Sequence, residues 1–216
     1  MSIYAIIPVS TLMICTAFLI VELRNLKYST YSYIAQALLL VTTFLIIAFT
    51  HGIGHLYIWA ASALITKAIL IPWLVLLALN KTGVVYEERA VLPLVASIIV
   101  DCCLTALAFA LAWRLPLPEA LKPFRVSLGV SLTLFFMGIW GMVSKGCAVK
   151  QTICLCHLEN GIHLLLALLA YATPVTVEIG ILTDAIFAVA IMLYLAMLIK
   201  SVTGSLDTYR LCYLRW

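Results

Sequence analysis

Charge is what this chain has least of: 10% of its 216 residues are Asp, Glu, Lys or Arg, against 65% hydrophobic. Soluble domains carry about a quarter charged and about half apolar residues. A water-soluble fold is therefore excluded, and an all-α, polytopic membrane bundle is expected. At about 20 residues per crossing there is room for about six or seven helices and no soluble domain beside them. The marks of catalysis are missing as well. There is no P-loop, GxGxxG, Ser/His/Asp constellation, hydrolase carboxylate pair or cofactor box, so the isolated chain is expected to catalyse no covalent chemistry. No metal or other cofactor is expected either. Cys154-Leu-Cys156-His157 places soft ligands close together, but one helix cannot turn all three onto one ion and no second cluster follows. Four histidines without a supporting pattern argue against haem in the same way. The seven cysteines lie mostly in apolar runs, where a free thiol behaves as a small hydrophobe, and no disulfide framework is expected. The N-terminus lacks the basic n-region of a signal peptide, so its apolar run is read as a retained first helix. No internal repeat or low-complexity tract stands out.

What is present is a series of apolar runs with short breaks. Spans are expected near 3–21, 31–50, 56–79, 91–113, 124–144, 152–171 and 175–199, with Thr173-Pro174 suited to an N-cap followed by proline in the first turn. Tyr31, Tyr57, Trp59, Trp113 and Tyr171 fall near span ends and are read as interfacial anchors. Seven crossings sort the loop cations into two sets. Arg24, Lys27, Lys81, Arg89, Lys145, Lys150, Lys200, Arg210 and Arg215 fall on one side, and Arg114, Lys122 and Arg125 on the other. Nine against three predicts the N-terminus outside and the C-terminus in the cytoplasm. The same bias accounts for the net charge of +4 without a nucleic-acid partner.

Inside these runs stand a few ionisable residues. Each costs roughly 2.5–3.5 kcal/mol to insert near the bilayer centre, and such residues normally face a bundle interior or a water-filled path. Glu159 and Asp184 are the acids of the last two spans, and both are proton-transfer candidates. His163 lies four residues after Glu159 and shares its helix face, while His157 is expected to point elsewhere. A carboxylate beside a group that titrates near neutral pH makes a relay. Asn160 and Gly161 add a polar amide and a point of close helix approach. Lys67 is too deep to snorkel and needs a partner. Asp101, in the next span, lies within roughly 4–5 Å of the same depth at 1.5 Å per residue, so an ion pair with Lys67 is expected, serving either packing or a proton path. Pro72 frees a backbone carbonyl about one turn beyond Lys67.

The stretches Cys156-His-Leu-Glu159-Asn-Gly-Ile-His163-Leu-Leu-Leu-Ala-Leu-Leu-Ala and Val177-Glu-Ile-Gly-Ile-Leu-Thr-Asp184-Ala-Ile-Phe-Ala-Val resemble component E of the hydrogenase-4 type membrane complexes. The resemblance extends into the first half at Ile58-Trp-Ala-Ala-Ser-Ala-Leu-Ile-Thr-Lys67-Ala-Ile-Leu-Ile-Pro72. The last three helices are more distantly similar to subunit K of respiratory complex I and to the corresponding small membrane component of multisubunit sodium/proton antiporters. This divides the chain into a four-helix region, 1–122, and a subunit K-like region, 123–216. In subunit K two intramembrane glutamates lie on an axis of proton transfer. Glu159 matches the first, and Asp184, a shorter acid after a shorter intervening segment, stands at the second. The resemblance implies a non-catalytic inner-membrane subunit of a formate hydrogenlyase type complex. Its metal centres would reside in other chains, its partners would be antiporter-like and anchoring membrane subunits, and its acids would serve ion movement coupled to hydrogen evolution. A scaffold that moves no ions, a subunit of a cation/proton antiporter, and a standalone transporter are the competing readings, the last lacking a repeat or pocket signal.

Overall fold

Punctuation by polar and glycine residues sets the helix ends. The computed structural model describes residues 5–87, 90–169 and 175–208. Helix α1 (Ile6–Glu22) gives way at Leu23, and Asn25 caps α2 (Leu26–His51) by accepting from the Lys27 and Tyr28 amides at 3.0 and 3.3 Å. Gly52 ends α2 in the left-handed region, at φ 65°, where a side chain would be strained. The third span is composite: α3 (His55–Ala63), a π-helical segment (Leu64–Leu70) and α4 (Ile71–Thr82). Then follow α5 (Leu94–Arg114), a 3₁₀ turn (Glu119–Phe124), α6 (Arg125–Ser144), α7 (Ala148–Leu169) and α8 (Val175–Thr203). No strand forms among the described residues. Six of these spans are long and apolar enough to cross a membrane, and Ile6–Glu22, with 17 residues, is a shorter apolar helix at the lower limit for crossing. The proposed cap at Thr173-Pro174, together with Tyr171, Arg89, Arg210 and Arg215, lies outside the described residues.

The connections after α1, α4, α6 and α8 meet at one end, where backbone hydrogen bonds join them. Leu26 N donates to Val85 O, Glu87 N to Arg24 O, Val91 N to Ser144 O, Ala148 N to Leu206 O and Thr208 N to Gly146 O. This up-and-down order places Arg24, Lys27, Lys81, Lys145, Lys150 and Lys200 together and leaves Arg114, Lys122 and Arg125 at the opposite end. There Arg125 donates to Trp113 O and Leu115 O and lies over the Trp113 ring.

Lipid provides no hydrophobic drive between helices, so close approach through small residues matters more than apolar bulk. Helices α6 and α7 make the most extensive contact, and they meet at glycines. A Cβ on Gly138 would stand 2.5 Å from Leu158 Cβ, and one on Gly161 2.8 Å from the Phe135 amide nitrogen. Helices α1 and α2 pack onto α6 and α7, across the boundary that the sequence suggested near residue 122. Helix α5 lies outside, against α6 and α1, and α8 covers α7, α4 and α3.

Two large apolar clusters fill most of the bundle, and a small third one joins Ala17 and Val21 of α1 to Met137 of α6. Of the large pair, one contains Met13, Leu40, Phe44, Trp59, Ala63 and Leu164; the other, nearer the basic end, contains Ile20, Tyr33, Ile71, Val75, Ile153 and Cys156. Trp59 is fully buried, edge-on to Phe44 with ring centroids 6.2 Å apart, and is a core residue rather than the interfacial anchor expected. On α2, the third span and α7 alike, the gap between the clusters is filled by polar residues.

Candidate functional site

That gap holds Gln36, Lys67, His157, Asn160 and His163, all buried, with Glu159 at its edge. Helix α7 supplies most of them and has the lowest mean hydropathy of the six long spans, 1.5. Lys67 stands in the middle of the π segment. The wider turn pairs Ile71 N with Thr66 O, five residues back, and Pro72 follows without a donor of its own. The register change thus spans Lys67, and the missing amide follows just beyond it.

Lys67 Nζ donates to Asn160 Oδ1 at 3.0 Å and lies 3.8 Å from Glu159 Oε2. Asn160 Nδ2 donates to Gln36 Oε1 at 3.1 Å, and the same oxygen meets His157 Nδ1 at 2.8 Å. Gln36 in turn reaches Thr16 Oγ1 at 3.3 Å and Met13 O at 3.4 Å on α1. A polar layer thus links α1, α2, the π segment and α7 halfway along the bundle. Glu159 keeps 14% of its side-chain surface exposed, so it is the member that reaches the outer face.

The sequence-predicted residues divide. Lys67 and Glu159 come together. The expected Lys67–Asp101 pair does not form, because α5 packs on α6 and α1 while Lys67 faces α2 and α7; equal depth on consecutive helices did not mean adjacency. His163 shares the Glu159 face, but its Nδ1 meets the Glu159 backbone carbonyl at 2.8 Å rather than the carboxylate. His157 joins the layer instead of pointing away, because Gln36 meets it from α2. Asp184 is exposed on the outer side of α8, beside exposed Thr183. The inner stripe of α8 is Leu182, Ala185, Val189, Leu193 and Ala196, whose apolar surface takes the contact and turns Asp184 outward. Gln36 was missed. A lone amide in an apolar helix is the only signal that pointed to it.

A second polar cluster occupies the basic end. Lys150, read from sequence as a loop cation, is buried in the first turn of α7. Its ammonium donates to Leu23 O at 2.8 Å, to Ser29 Oγ at 2.9 Å and to Ile20 O, satisfying carbonyls that the C-terminus of α1 leaves open. Glu22, the last residue of α1, accepts from Ser97 Oγ at 2.7 Å and from Lys145 Nζ at 3.0 Å through one oxygen. Glu87, in the α4–α5 connection, is buried, and that burial raises its carboxyl above the ordinary range despite the opposing pull of Lys150 and Lys145.

These features define a polytopic helical membrane protein with a charged layer held between apolar clusters. A family model described as NADH-ubiquinone/plastoquinone oxidoreductase chain 4L matches residues 126–216, the stretch that takes in α6, α7 and α8. The chain is 37% identical to hydrogenase-4 component E of Escherichia coli (strain K12) over 210 residues, 94% of each chain, and equally so to hydrogenase-4 component E of Shigella flexneri. An uncharacterised protein of Mycobacterium tuberculosis is 26% identical over 157 residues, 71% of this chain and 70% of its own. No solved structure matches the chain. The chain belongs to the hydrogenase-4 component E family.

Proposed function

We propose that this chain is a membrane subunit of a hydrogenase complex and carries protons, or another ion, through its polar layer as hydrogen is formed. The observation that carries the reading is the Lys67–Glu159 contact, a charged pair held between two apolar clusters in the middle of the bundle. A neutral pair of the same shape would pack there at lower cost. Retaining a lysine and a carboxylate, in a helix loosened by a π turn, makes sense for groups that exchange a proton.

In this reading Glu159 takes up and releases the proton while Lys67 compensates its charge, and Asn160 and Gln36 hold the two in register. His157 and His163 extend the layer along α7. Asp184, outside the layer, faces a neighbouring membrane subunit and passes the proton across that boundary. Redox changes in partner subunits would drive the cycle by altering the field at Glu159. The metal centres reside in those partners, and the chain on its own is not an enzyme. The basic end faces the cytoplasm, in keeping with its excess of Lys and Arg.

The test is proton translocation per hydrogen formed, in vesicles that contain the assembled complex. Glu159→Gln should leave assembly and hydrogen evolution in place and lower the ratio, while Glu159→Asp does less harm. Asp184→Asn should resemble Glu159→Gln. Unchanged coupling in an assembled Glu159→Gln/Asp184→Asn double variant would sink the relay and favour a scaffold.

A further inference from the structure

Asp101 is a buried acid that the Lys67–Glu159 layer leaves unused. Its side chain is fully buried on α5, and among the described residues neither carboxylate oxygen has a hydrogen-bond donor. An ionised carboxylate held that way is expensive, since desolvation goes uncompensated. What faces it is a second acid. Ser97, one turn earlier on the same face of α5, donates to Glu22 Oε1, and Glu22 and Lys145 are the charged side chains that act on Asp101. Two carboxylates so placed can both be satisfied only when one carries a proton and donates it to the other.

The charge count agrees. Among the described residues Lys145 is the one cation bonded to Glu22, and its ammonium balances a carboxyl–carboxylate pair but not two ionised acids. Among the described residues no second cation forms an ion pair with Glu22 or Asp101. Lys150 is committed to carbonyls and Ser29, and Glu87 adds an acid. Arg24 stands with Glu22, Glu87 and Lys145 in the wall of a cleft that opens at this end. Glu22 keeps 11% of its side-chain surface exposed there, so the pair has a route to water.

We propose that Glu22 and Asp101 hold one proton between them and form a proton-loading site at the basic end of the bundle, with Lys145 as its counter-ion and the Glu22–Glu87 cleft as its mouth. A proton enters from water at Glu22, passes to Asp101 as the Glu22 carboxylate is restored, and returns or moves inward from there. That it feeds the α7 layer rests on the function proposed above; the shared proton does not.

The test is infrared spectroscopy of the full chain in lipid vesicles, in a Glu87→Gln/Glu159→Gln background so that these two other acids with raised or partly buried carboxyls are silent. The expected result is a protonated-carboxyl C=O band at neutral pH that shifts in heavy water and is lost in Asp101→Asn. A spectrum with no such band, or a band that survives Asp101→Asn, overturns the proposal and leaves the Glu159 relay to its own test. Should Asp101→Asn not fold, Lys145→Met decides. Removing the cation should move the loss of the band upward by about 1–3 pH units, and an unmoved band also overturns the proposal.

Discussion

Lys67 Nζ on the π-helical third span lies 3.8 Å from Glu159 Oε2 on α7, with Asn160 Oδ1 3.0 Å away to share the ammonium. The pair joins the two halves of the chain, so its energetics can be read in stability as well as in transport.

Lys67→Met should destabilise the chain, because the Glu159 carboxylate is left without its cation and Asn160 without its donor. Breaking a buried pair from one side costs about 3–5 kcal/mol; partial exposure of Glu159 puts the expected loss at the low end. Glu159→Gln added to Lys67→Met should recover about 0.5–3 kcal/mol, the range of coupling between touching residues. Thermal unfolding of the four proteins in one detergent measures the cycle, and strictly additive losses would show that the contact carries no energy.

Gln36→Leu should cost about 1–3 kcal/mol for each buried donor left without an acceptor. Gln36 Oε1 serves both His157 Nδ1 and Asn160 Nδ2, so two groups lose their partner at once. Unfolding in the same detergent measures this, with Thr42→Ala as a control, since that hydroxyl faces outward and bonds only within its own helix. Equal stabilities would remove Gln36 from the framework of the site.

The spans could be read from the chain because lipid tolerates only long apolar helices, and charge marks where they end. Glu159 and Lys67 could be read too, since ionisable groups in such helices are costly enough to announce themselves. Their pairing could not. Depth along a span follows from counting residues, whereas helix neighbours are set by small-residue packing such as Gly138 on Leu158, which placed α5 away from the third span. On α8 the apolar stripe of Leu182, Ala185 and Val189 took the contact and left Asp184 outside, and the α2–α7 contact brought Gln36 to His157. Glu22 was passed over because an acid at a helix end reads as part of a linker until Ser97 and Lys145 are seen to converge on it.

Gly138→Ala and Gly161→Ala should each push α6 and α7 apart. The new methyl on Gly138 would meet Leu158 Cβ at 2.5 Å and Cα at 2.7 Å, and that on Gly161 would meet Ser131 O at 2.9 Å. Those neighbours are backbone or close to it and cannot swing away, so a loss of about 1–3 kcal/mol is expected. The same strain displaces Asn160 and Glu159 and lowers coupling. Gly180→Ala, inside α8 with nothing within 4 Å of the added carbon, should lower neither stability nor coupling and should gain what alanine's better helix propensity gives. Thermal unfolding and vesicle acidification on the three variants check the contrast.

Glu87→Gln should gain stability relative to the native chain as pH rises. Burial raises the folded-state carboxyl, so below the unfolded value of about 4.3 both states hold the proton and the group makes no demand. Above that value the unfolded chain loses its proton first, and native stability falls until the pH passes the folded value. Glutamine keeps a neutral polar group and has no such fall. Unfolding midpoints measured from acid to mildly alkaline pH should therefore diverge in favour of the variant, and parallel curves would contradict a folded-state carboxyl raised by burial.

The orientation of the whole device rests on one asymmetry. Arg24, Lys27, Lys81, Lys145, Lys150 and Lys200 gather where the connections after α1, α4, α6 and α8 are bonded together, and only Arg114, Lys122 and Arg125 mark the other end. Burial of Lys145 and Lys150 in the finished fold does not weaken the bias, because the positive-inside rule acts on loops during insertion, before the bundle packs. The basic end should therefore be cytoplasmic, and the Glu22–Asp101 mouth should open to the cytoplasm. Reporter fusions after Leu79 and after Trp216 should both report cytoplasm, and one in the Arg114–Lys122 connection the opposite side. An outside signal after Leu79 together with a cytoplasmic one after Arg114 would invert the protein, and any uptake at Glu22 would then draw from the other compartment.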